Sequence, residues 1–412
     1  MQKIYTLGVR AMSLGMKIAS KFNEKAQKAI VGRGNVWQYL TQKITPNDDW
    51  VWVHCSSLGE FEQGRPVIEA IKEKYPKAKI AVSFFSPSGY EVRKNYAEAD
   101  AVFYLPFDTP ENAQKLIKIL KPKLWVLVKY DYWYNFLSEY KKEGVPIIVI
   151  SAIFRENQSY FKSYGKFFAQ KLKNDLAHFF VQNQESVDLL SQIGISNASA
   201  VGDTRFDRVK KVADQAERLP WVETFKQDKK LFVVGSSWKE DEDFWVKWMN
   251  EECPLDWKII IAPHEMNEKS ILALKERFKD EVATYQKQEN LEQAKILIVD
   301  AIGFLSEIYA YADIAYVGGG FNKSGVHNTL EPAVFGVPVV IGQNYAKFQE
   351  VKDLMAEGAL FSVSDYVQFQ KIIKKLISED LAIYKMKTQA VFDRNLGATQ
   401  KIMQWIEENR VI

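Results

Sequence analysis

The sequence predicts an α/β protein with two doubly wound halves, each built on a parallel β-sheet, and a cleft between the halves. Three observations lead to this prediction. From Trp50 onward, short apolar runs alternate with amphipathic stretches, and the series restarts after a polar segment in mid-chain. The runs are continuous rather than alternating, as expected for strands covered on both faces. Strands that alternate with helices in this way indicate βαβ units.

The composition fits a large folded protein and excludes several classes. The chain has 412 residues, of which 47% are hydrophobic, so two or three domains of roughly 100–200 residues are expected. A net charge of +3 argues against a protein that binds nucleic acid through a strongly basic surface. The two cysteines form no CxxC pair and the four histidines show no HxH or HxxxH spacing, so no metal site is expected.

Residues 1–40 are predicted to be a separate amphipathic, membrane-associating segment. No apolar stretch reaches the roughly 18 residues of a transmembrane helix, and Arg10 and Lys17 interrupt any signal-peptide core. On a helical wheel of Lys3–Phe22, the polar side chains share an arc roughly 100° wide. They are Lys3, Thr6, Arg10, Ser13, Lys17, Ser20 and Lys21. Such a helix either lies in a membrane interface or docks on the core with its polar arc in water. The scarcity of acidic partners favours the membrane.

Residues 41–213 are predicted to form the first domain. Its strands are expected at Val51–His54, Ile80–Phe85, Ala101–Leu105, Leu124–Val128, Pro146–Ile150 and His178–Gln182. The polar stretch 214–230, which contains Pro220, is predicted to be a linker. Residues 231–412 are predicted to form the second domain. Its strands are expected at Leu231–Val234, Lys258–Ile261, Val282–Tyr285, Ile296–Val299, Ile314–Val317 and Val337–Ile341. The stretch from about Ser378 is predicted to be mostly helical and to pack back on the first domain.

Loops that follow strands are the candidate functional sites, because doubly wound sheets bind ligands outside the carboxyl ends of their strands. After the first strand, Ser56, Ser57 and Gly59 permit close backbone approach, and a helix begins there with free N–H groups. Glu60 in this turn is a candidate catalytic carboxylate. The alternative is that Glu60 merely interacts favourably with the helix dipole.

A second candidate site follows the strand Ile314–Val317. The glycines of Gly318–Gly320 permit close approach to a ligand. A helix predicted to begin near Asn328 offers N–H donors to a phosphate, and Glu331 offers an acceptor to ribose hydroxyls. The alternative is a tight turn capped by Asn328.

Four segments together resemble the transferases of 3-deoxy-D-manno-oct-2-ulosonic acid (Kdo) that act in lipopolysaccharide synthesis. They are SSLGE at 56–60, VGDTRFD at 201–207, GSSWKEDE at 235–242, and VGGGF with GVHNTLEPAVFGVPVVIG within 317–342. The resemblance extends from about Gly32 to Glu350. It implies the GT-B fold, with two Rossmann-like domains, and transfer of Kdo from CMP-Kdo to the lipid A precursor. It also implies peripheral or monotopic attachment to the cytoplasmic face of the bacterial inner membrane.

The resemblance implies roles for individual residues. Glu60 aligns with the family's proton acceptor, and Arg205 matches a basic residue that assists the transition state. The donor's CMP is expected on the second domain, at Pro263, His264, Ile302, Gly303, Phe304, Gly318, Gly319, Gly320, Asn328, Thr329, Leu330 and Glu331. His264 stands where the family has Arg, so its phosphate contact is expected to be weaker and pH-dependent. An isolated strand-end histidine such as His264 can instead be a solvated or capping residue. Phe304 cannot accept a ribose hydrogen bond, so its loop is expected to contact CMP through backbone and stacking.

One stretch departs from the family. Lys129–Asn135 stands where the family has Glu-Thr-Glu-Leu-Trp-Pro-Asn, so that one acid is replaced by Lys129 and the other is shortened to Asp131. Asp131 is then the candidate second carboxylate. The rings within Tyr130–Phe136 either contact sugar and acyl groups or form a packed wall. The basic residues expected nearest the acceptor phosphates are Lys129, Arg155 and Arg205.

The expected mechanism is an inverting transfer. Glu60 removes the proton from a glucosamine hydroxyl as that oxygen attacks the anomeric carbon of Kdo, and CMP leaves from the opposite face. Donors at Gly318–Gly320 and at the following helix start are expected to stabilise the leaving phosphate. Neither a metal ion nor a cofactor is expected besides the donor substrate, CMP-Kdo.

Two alternatives remain open at this point. One is another GT-B glycosyltransferase that uses a UDP-sugar, which the amphipathic leader and the Asn-x-Leu-Glu block disfavour. The other is a non-enzymatic member that binds lipid or nucleotide without turnover. The altered Lys129–Asn135 stretch supports this reading, and the intact Glu60 argues against it.

Overall fold

Two α/β units make up the computed structural model, which describes residues 2–46, 48–323 and 325–412. The first unit extends to Asp207 and includes the C-terminal segment Asn395–Ile412, whereas Arg208–Arg394 form the second unit. Each unit contains a seven-stranded sheet whose paired strands are parallel. The predicted fold class, α/β with two parallel-sheet domains, is therefore confirmed.

The first sheet lies at the centre of the first unit. Its strands are β1 (Trp50–Cys55), β2 (Lys79–Phe84), β3 (Ala101–Tyr104), β4 (Leu124–Val128), β5 (Ile147–Ala152), β6 (His178–Val181) and β7 (Ala198–Ala200). They are ordered β3-β2-β1-β4-β5-β6-β7. Every residue of β1 and β4 is buried, because helices cover both faces of the sheet. The order reverses between β1 and β4, and sheets of this kind bind ligands outside the carboxyl ends of the strands at such a reversal.

The second sheet has the same number of strands and the same kind of reversal. Its strands are β8 (Lys230–Ser237), β9 (Trp257–Pro263), β10 (Val282–Thr284), β11 (Ile296–Ile298), β12 (Ile314–Val317), β13 (Val339–Gly342) and β14 (Leu360–Val363). They are ordered β10-β11-β9-β8-β12-β13-β14, with the reversal between β8 and β12. The glycine run Gly318–Gly320 follows β12 directly.

Every strand predicted from an apolar run is present, and two further strands were not predicted. The additional strands, β7 and β14, form one edge of each sheet. No residue of β7 is buried, and in β14 only Leu360 and Val363 are buried, so neither strand is marked by a continuous buried apolar run.

Helices pack around both sheets. In the first unit they are α1 (Gln2–Ala19), α2 (Glu24–Gly34), α3 (Val36–Lys43), α4 (Leu58–Lys74), α5 (Pro87–Arg93), α6 (Pro110–Ile119), α7 (Tyr134–Lys142), α8 (Lys166–Asp175) and α9 (Gln184–Gln192). The helix α10 (Thr204–Asp214) crosses the boundary between the units. The others are α11 (Pro220–Lys226), α12 (Lys239–Glu251), α13 (Glu268–Lys275), α14 (Leu305–Ile308), α15 (Leu330–Ala333), α16 (Gln349–Ala356), α17 (Tyr366–Ser378), α18 (Ala382–Asn395) and α19 (Ala398–Glu408). Short 3₁₀ turns occur at Ser159–Phe161, Ser163–Gly165 and Tyr309–Tyr311.

The segment predicted to be a linker, residues 214–230, is not an extended connection. It contains α11, whose side chains Val222 and Phe225 are fully buried. Lys258 of β9 lies over the Phe225 ring and donates to its carbonyl oxygen at 2.7 Å. This segment is therefore an integral part of the second unit.

The C-terminal helix belongs to the first unit, so the second unit ends at Arg394 rather than at residue 412. α19 packs on α4, with Ile402 and Ile406 fully buried. The Asp207 carboxylate accepts hydrogen bonds from the amides of Gly397 and Thr399, both at 2.7 Å, and thereby fixes the start of α19.

The N-terminal helix α1 packs on the first unit through a face that includes Tyr5, Thr6 and Val9. Tyr5 Oη donates to Asp108 at 2.7 Å, and Asn135 Nδ2 donates to Thr6 Oγ1 at 3.3 Å. Burial raises the pKa of Asp108 to about 6, although hydrogen bonds from Tyr5 and two α7 amides favour its charged form. A buried carboxyl needs such donors, which explains why the Tyr5 hydroxyl faces inward.

Most of the apolar arc of α1 is exposed, with Val9 buried. The exposed fractions are 71% for Ile4, 69% for Leu7, 60% for Leu14 and 56% for Ile18. The helix therefore docks on the first unit with Lys3, Arg10 and Lys17 exposed, as the second interpretation expects, but the protein leaves most of its apolar arc uncovered. The structure describes no helix that is both long and apolar enough to cross a bilayer.

Candidate active site

Glu60 lies in the first turn of α4, directly after the carboxyl end of β1. Its Oε2 accepts a hydrogen bond from the Ser57 amide at 3.0 Å, which satisfies one of the free N–H groups at the helix start. Among the described residues, Oε1 has no hydrogen-bond partner. One carboxylate oxygen of Glu60 thus stabilises the helix start, as the alternative interpretation expects. The other oxygen is available for a ligand.

The surroundings of Glu60 shift its acidity. Burial raises the pKa of Glu60 above its ordinary value, and the nearby Asp131 raises it further. The Lys129 charge and the hydrogen bond from the Ser57 amide act in the opposite direction. The structure therefore brings together Glu60 and Asp131, the two predicted carboxylates, in a setting that makes Glu60 a stronger base than an ordinary glutamate.

His54 is a fully buried neighbour of this site that the sequence did not identify. Trp133 Nε1 donates to His54 Nε2 at 3.0 Å, and His54 Nδ1 lies 2.8 Å from Ser83 Oγ. An indole N–H can only donate, so the His54 proton is on Nδ1 and the ring is neutral. The contact of 3.8 Å between His54 Nε2 and Asp131 is then not an ion pair. His54 instead fixes the Trp133 ring, and this contact between distant residues has no signal in the sequence.

Two neighbouring strands of the first sheet, β4 and β5, carry residues with positive φ near their carboxyl ends. Lys129 after β4 has φ 64° and Ser151 in β5 has φ 54°, a region that costs non-glycine residues about 1–3 kcal/mol and is enriched at functional sites. The Lys129 charge lowers the pKa of both Glu60 and the buried Asp203. Lys129 therefore lies near two carboxylates.

Arg205 is mostly buried and forms an ion pair with Asp203. Its Nη2 lies 2.8 Å from Asp203 Oδ2, which also accepts a hydrogen bond from Gln63 Nε2 at 2.7 Å. Burial favours protonation of Asp203, but the ion pair and hydrogen bonds with Arg205 outweigh this effect and leave its pKa below the ordinary value. Gln63 is one turn after Glu60 on α4, so a chain of polar contacts connects the helix of the predicted base to Arg205.

The glycine run of the second unit is buried and packs on other backbone. A Cβ on Gly318 would lie 2.3 Å from the Ser236 carbonyl oxygen, and one on Gly320 would lie 2.5 Å from the Gly342 amide nitrogen. The Gly318 and Gly319 amides donate within the protein, at 2.9 Å each, to the Gly235 carbonyl and Asp241 Oδ2. The expectation that these two amides stabilise a leaving phosphate is therefore wrong for the arrangement observed, because both are already bonded.

We expect Gly320→Ala to lower the free energy of unfolding by about 1–3 kcal/mol, because the added methyl group must displace the Gly342 backbone. The matched control is Gly59→Ala, whose Cβ would meet no atom within 4 Å and which lies in a helix. There alanine is expected to stabilise by up to about 1 kcal/mol. Urea unfolding of both variants is the measurement, and equal stabilities would contradict the prediction.

Asp241 organises the glycine run and was missed by the sequence analysis. Its Oδ2 accepts from the amides of Trp238 and Gly319, both at 2.9 Å, and its Oδ1 accepts from Tyr316 Oη at 2.9 Å. Asp241-Glu242-Asp243 is an Asp-x-Asp sequence, but Asp241 is fully buried in these bonds and Asp243 pairs with Arg277. No group of three or more His, Cys, Asp or Glu side chains in the described parts of the chain is arranged to hold a metal ion.

His264 and His327 form a stacked cluster with Trp238. Trp238 Nε1 donates to His327 Nε2 at 2.9 Å, and the His264 ring stacks on the indole with centroids 4.1 Å apart. Burial lowers the pKa of His327 to about 4, with a smaller contribution from His264, and burial also lowers the pKa of His264. Both imidazoles are thus neutral at pH 7, so His264 offers a ligand a hydrogen bond or a ring face but no charge.

The helix after the glycine run differs from the prediction. α15 begins at Leu330 rather than near Asn328 and has only four residues, so its dipole is small. Asn328 Nδ2 donates to Glu331 at 2.9 Å, and a partner therefore already occupies one oxygen of the predicted ribose acceptor.

The predicted loop Ile302–Phe304 presents one apolar side chain to solvent. Ile302 is 87% exposed and Gly303 has φ 108°. The Phe304 ring packs against Tyr285, with centroids 4.9 Å apart. Ile302 can therefore make apolar contact with a ligand, whereas the packed face of the Phe304 ring cannot stack on one.

Three polar atoms near the carboxyl edge of the second sheet are buried without a hydrogen-bond partner among the described residues. They are Ser237 Oγ, Glu307 Oε2 and Thr329 Oγ1. A cavity of about 660 Å³ is lined by Ser237, Trp238 and Pro263 together with residues of α12 and α13. Buried polar groups nearly always form hydrogen bonds, so these three atoms are available to bond a polar ligand at this edge of the sheet.

Comparisons with known proteins identify the relatives of this chain. Residues 25–208 match the family model described as 3-deoxy-D-manno-octulosonic-acid transferase (kdotransferase). A 3-deoxy-D-manno-octulosonic acid transferase of Chlamydophila psittaci is 26% identical, over 82% of this chain and 79% of its own length. A bifunctional glycosyltransferase/methyltransferase of Fusobacterium nucleatum subsp. nucleatum is 24% identical over 89% of this chain, which spans only 56% of that relative.

Solved structures support the fold. The UDP-GlcNAc 2-epimerase of Neisseria meningitidis, bound to UDP-GlcNAc, matches with a TM-score of 0.60 over 87% of this chain and 100% of that chain. At 13% sequence identity, this likeness concerns the arrangement of strands and helices and not the activity.

Proposed function

We propose that this chain, which belongs to the family of 3-deoxy-D-manno-octulosonic-acid transferases, transfers Kdo from CMP-Kdo to the lipid A precursor in lipopolysaccharide synthesis. The observation that carries the proposal is the position of Glu60. It lies after the strand at which the first sheet reverses, it is partly buried, and its Oε1 has no partner among the described residues.

In the proposed reaction, Glu60 Oε1 takes the proton of an acceptor hydroxyl as that oxygen attacks the anomeric carbon of Kdo. The bond from that carbon to the CMP phosphate breaks, the configuration inverts, and the leaving phosphate keeps the bonding electron pair. Arg205, held by Asp203, supplies positive charge near the reacting groups. Asp131 acts indirectly, by raising the pKa of Glu60.

The second unit is the proposed site for CMP. Support comes from the unpartnered hydroxyls of Ser237 and Thr329, and from the stacked His264 and Trp238 rings. Because Gly318 and Gly319 donate within the protein, we assign them the role of shaping this edge rather than binding the phosphate. The remaining proposed contacts are Pro263, Ile302, Gly303, Phe304, Gly320, Asn328, Leu330 and Glu331.

Attachment to the cytoplasmic face of the bacterial inner membrane is part of the proposal. Its support is the exposed apolar arc of α1, which would enter the lipid interface while the lysines of the helix contact headgroups. The acceptor is a lipid, so an enzyme held at the interface meets it there at high local concentration.

The direct test is to incubate the full chain with CMP-Kdo and tetra-acylated lipid A precursor and to analyse the products by mass spectrometry. The expected result is a product heavier by one or more Kdo residues. Product formed from UDP-sugars but not from CMP-Kdo would favour the alternative glycosyltransferase, and binding of CMP-Kdo without any product would favour a non-enzymatic role.

The pH dependence of the reaction should report the raised pKa of Glu60. A base is active when deprotonated, so kcat/KM should rise with pH through a midpoint above 4.5, the ordinary value for glutamate, and then level off. Asp131→Asn removes a neighbouring negative charge and should move this midpoint to lower pH. Measuring kcat/KM from pH 4 to 8 for both proteins tests this, and an unmoved midpoint would argue against coupling of the two carboxyls.

Metal independence is also proposed. Transfer activity should be unchanged by EDTA, because the mechanism assigns no step to a divalent ion. Loss of activity in EDTA with recovery on addition of magnesium would contradict this.

A further inference from the structure

A groove in the first unit lies between α1, α2 and the loop that follows β3. It has a volume of about 520 Å³. Its polar lining includes Arg10, Lys17 and Arg33, and its apolar lining includes Leu14, Ile30 and Phe107. None of these residues belongs to the site of Glu60. The groove therefore combines three cations with an apolar wall.

Arg33 is a buried cation without a carboxylate partner. It is 8% exposed, and its Nε, Nη1 and Nη2 donate to the carbonyl oxygens of Leu105, Ala29 and Phe85 at 2.7–2.9 Å. The guanidinium also lies over the Phe85 and Phe107 rings. Burial lowers the pKa of Arg33 to about 10, so it is still charged at pH 7. A buried charge is costly unless an opposite charge compensates it, and no carboxylate of the described residues forms an ion pair with Arg33.

The mouth of the groove adds further positive charge. Lys17 forms no ion pair with any carboxylate that the structure describes. Arg10 pairs with Glu111 at 2.7 Å, but both side chains are more than half exposed, so this pair is weak and exchangeable. The groove therefore has a net positive charge and suits an anionic ligand.

We propose that this groove binds the phosphate headgroup of an anionic membrane phospholipid. This inference rests on the proposed membrane attachment, and two features select a phospholipid as the occupant. The charge of the groove complements a phosphodiester, and Leu14 belongs both to the groove wall and to the exposed apolar arc of α1. A headgroup bound beside Arg33 would therefore place its acyl chains along the arc that enters the lipid.

Flotation with vesicles tests the proposal without donor or acceptor, so its outcome is independent of whether the chain transfers Kdo. The full chain should bind vesicles of phosphatidylcholine with phosphatidylglycerol more tightly than vesicles of phosphatidylcholine alone. Lys17→Gln should lower this preference by roughly five-fold, the effect of one basic residue at an anionic surface. Lys3→Gln, which removes the same charge from the same helix outside the groove, should lower it less. Equal losses would indicate general attraction to a charged surface and would overturn the proposal.

A second variant fills the groove without changing any charge. Gly34 lines the groove, and a Cβ there would meet no atom within 4 Å, so Gly34→Leu is expected to fold. It should reduce the preference for phosphatidylglycerol vesicles. The control is Gly15→Leu, which lies on α1 outside the groove in equally open space and should leave the preference intact. An unchanged preference in Gly34→Leu would overturn the proposal.

A third set of vesicles distinguishes the occupant. These vesicles carry lipid A precursor in place of phosphatidylglycerol at the same total charge. If binding to them is tighter and depends more strongly on Lys17, the groove belongs to the acceptor and the assignment to a phospholipid is overturned. Binding no tighter than to phosphatidylglycerol supports the proposal.

Discussion

Glu60→Gln is expected to lower the turnover of Kdo transfer by about 10²–10⁴-fold, the usual contribution of a positioned base. Glutamine retains an oxygen that can accept the hydrogen bond from the Ser57 amide, so the start of α4 should be preserved. It cannot take a proton from the acceptor hydroxyl. The measurement is kcat at saturating donor and acceptor, together with thermal unfolding to verify that the fold is intact.

The control for this experiment is Glu62→Gln on the same helix. Glu62 pairs with Arg93 at 2.7 Å and is partly exposed, and it has no place in the proposed reaction. Its replacement should leave turnover close to that of the unmodified protein. Near-normal turnover of a correctly folded Glu60→Gln variant would remove Glu60 from the mechanism.

Replacing four exposed apolar residues of α1 with serine is expected to lower vesicle binding by at least about a hundredfold. Each large apolar side chain that enters lipid contributes about 1.5–3 kcal/mol, and Ile4, Leu7, Leu14 and Ile18 are all more than half exposed in the folded chain. Because they contact little of the protein, their loss should change the free energy of unfolding only slightly. Flotation and urea unfolding of the fourfold variant measure the two effects.

The matched control replaces four equally exposed apolar residues of the second unit with serine: Leu255, Leu272, Val367 and Met386. This variant loses a comparable apolar area from the surface of the protein, and its vesicle binding should be unchanged. Equal losses in the two variants would show that binding depends on general surface hydrophobicity rather than on α1, and attachment through this helix would be excluded.

The sequence predicts the sheets well because burial on both faces leaves a continuous apolar signal in each central strand. It does not predict β7 or β14, which are short edge strands in which a serine interrupts the apolar residues. Nor does it predict which arc of α1 faces the protein. That choice depends on Asp108, a buried carboxyl about a hundred residues away, which requires the Tyr5 hydroxyl as a donor.

In the candidate site, too, some residues could be predicted from the sequence and some contacts could not. Glu60 could be found because it follows a predicted strand at a predicted helix start, and Asp131 because it stands in a recognisable stretch. The hydrogen bonds that Trp133 donates to His54 and that the Gly319 amide donates to Asp241 could not be found, since they join residues 79 and 78 positions apart. The glycine run is the clearest example. Its composition predicts that other atoms pack closely against its backbone, but the sequence does not tell whether those atoms belong to a ligand or to the chain itself.

The return of the C-terminus to the first unit makes residues 208–394 an insertion within a single folding module. Asp207 binds the amides of Gly397 and Thr399, so the points where the chain departs and re-enters are adjacent. The gene segment for 208–394 can therefore be excised and the ends joined by a short bridge, as tolerated when termini lie close together. A protein simply cut after Asp207 would lack α19 and expose the apolar surface of α4, and it should aggregate where the bridged version stays in solution.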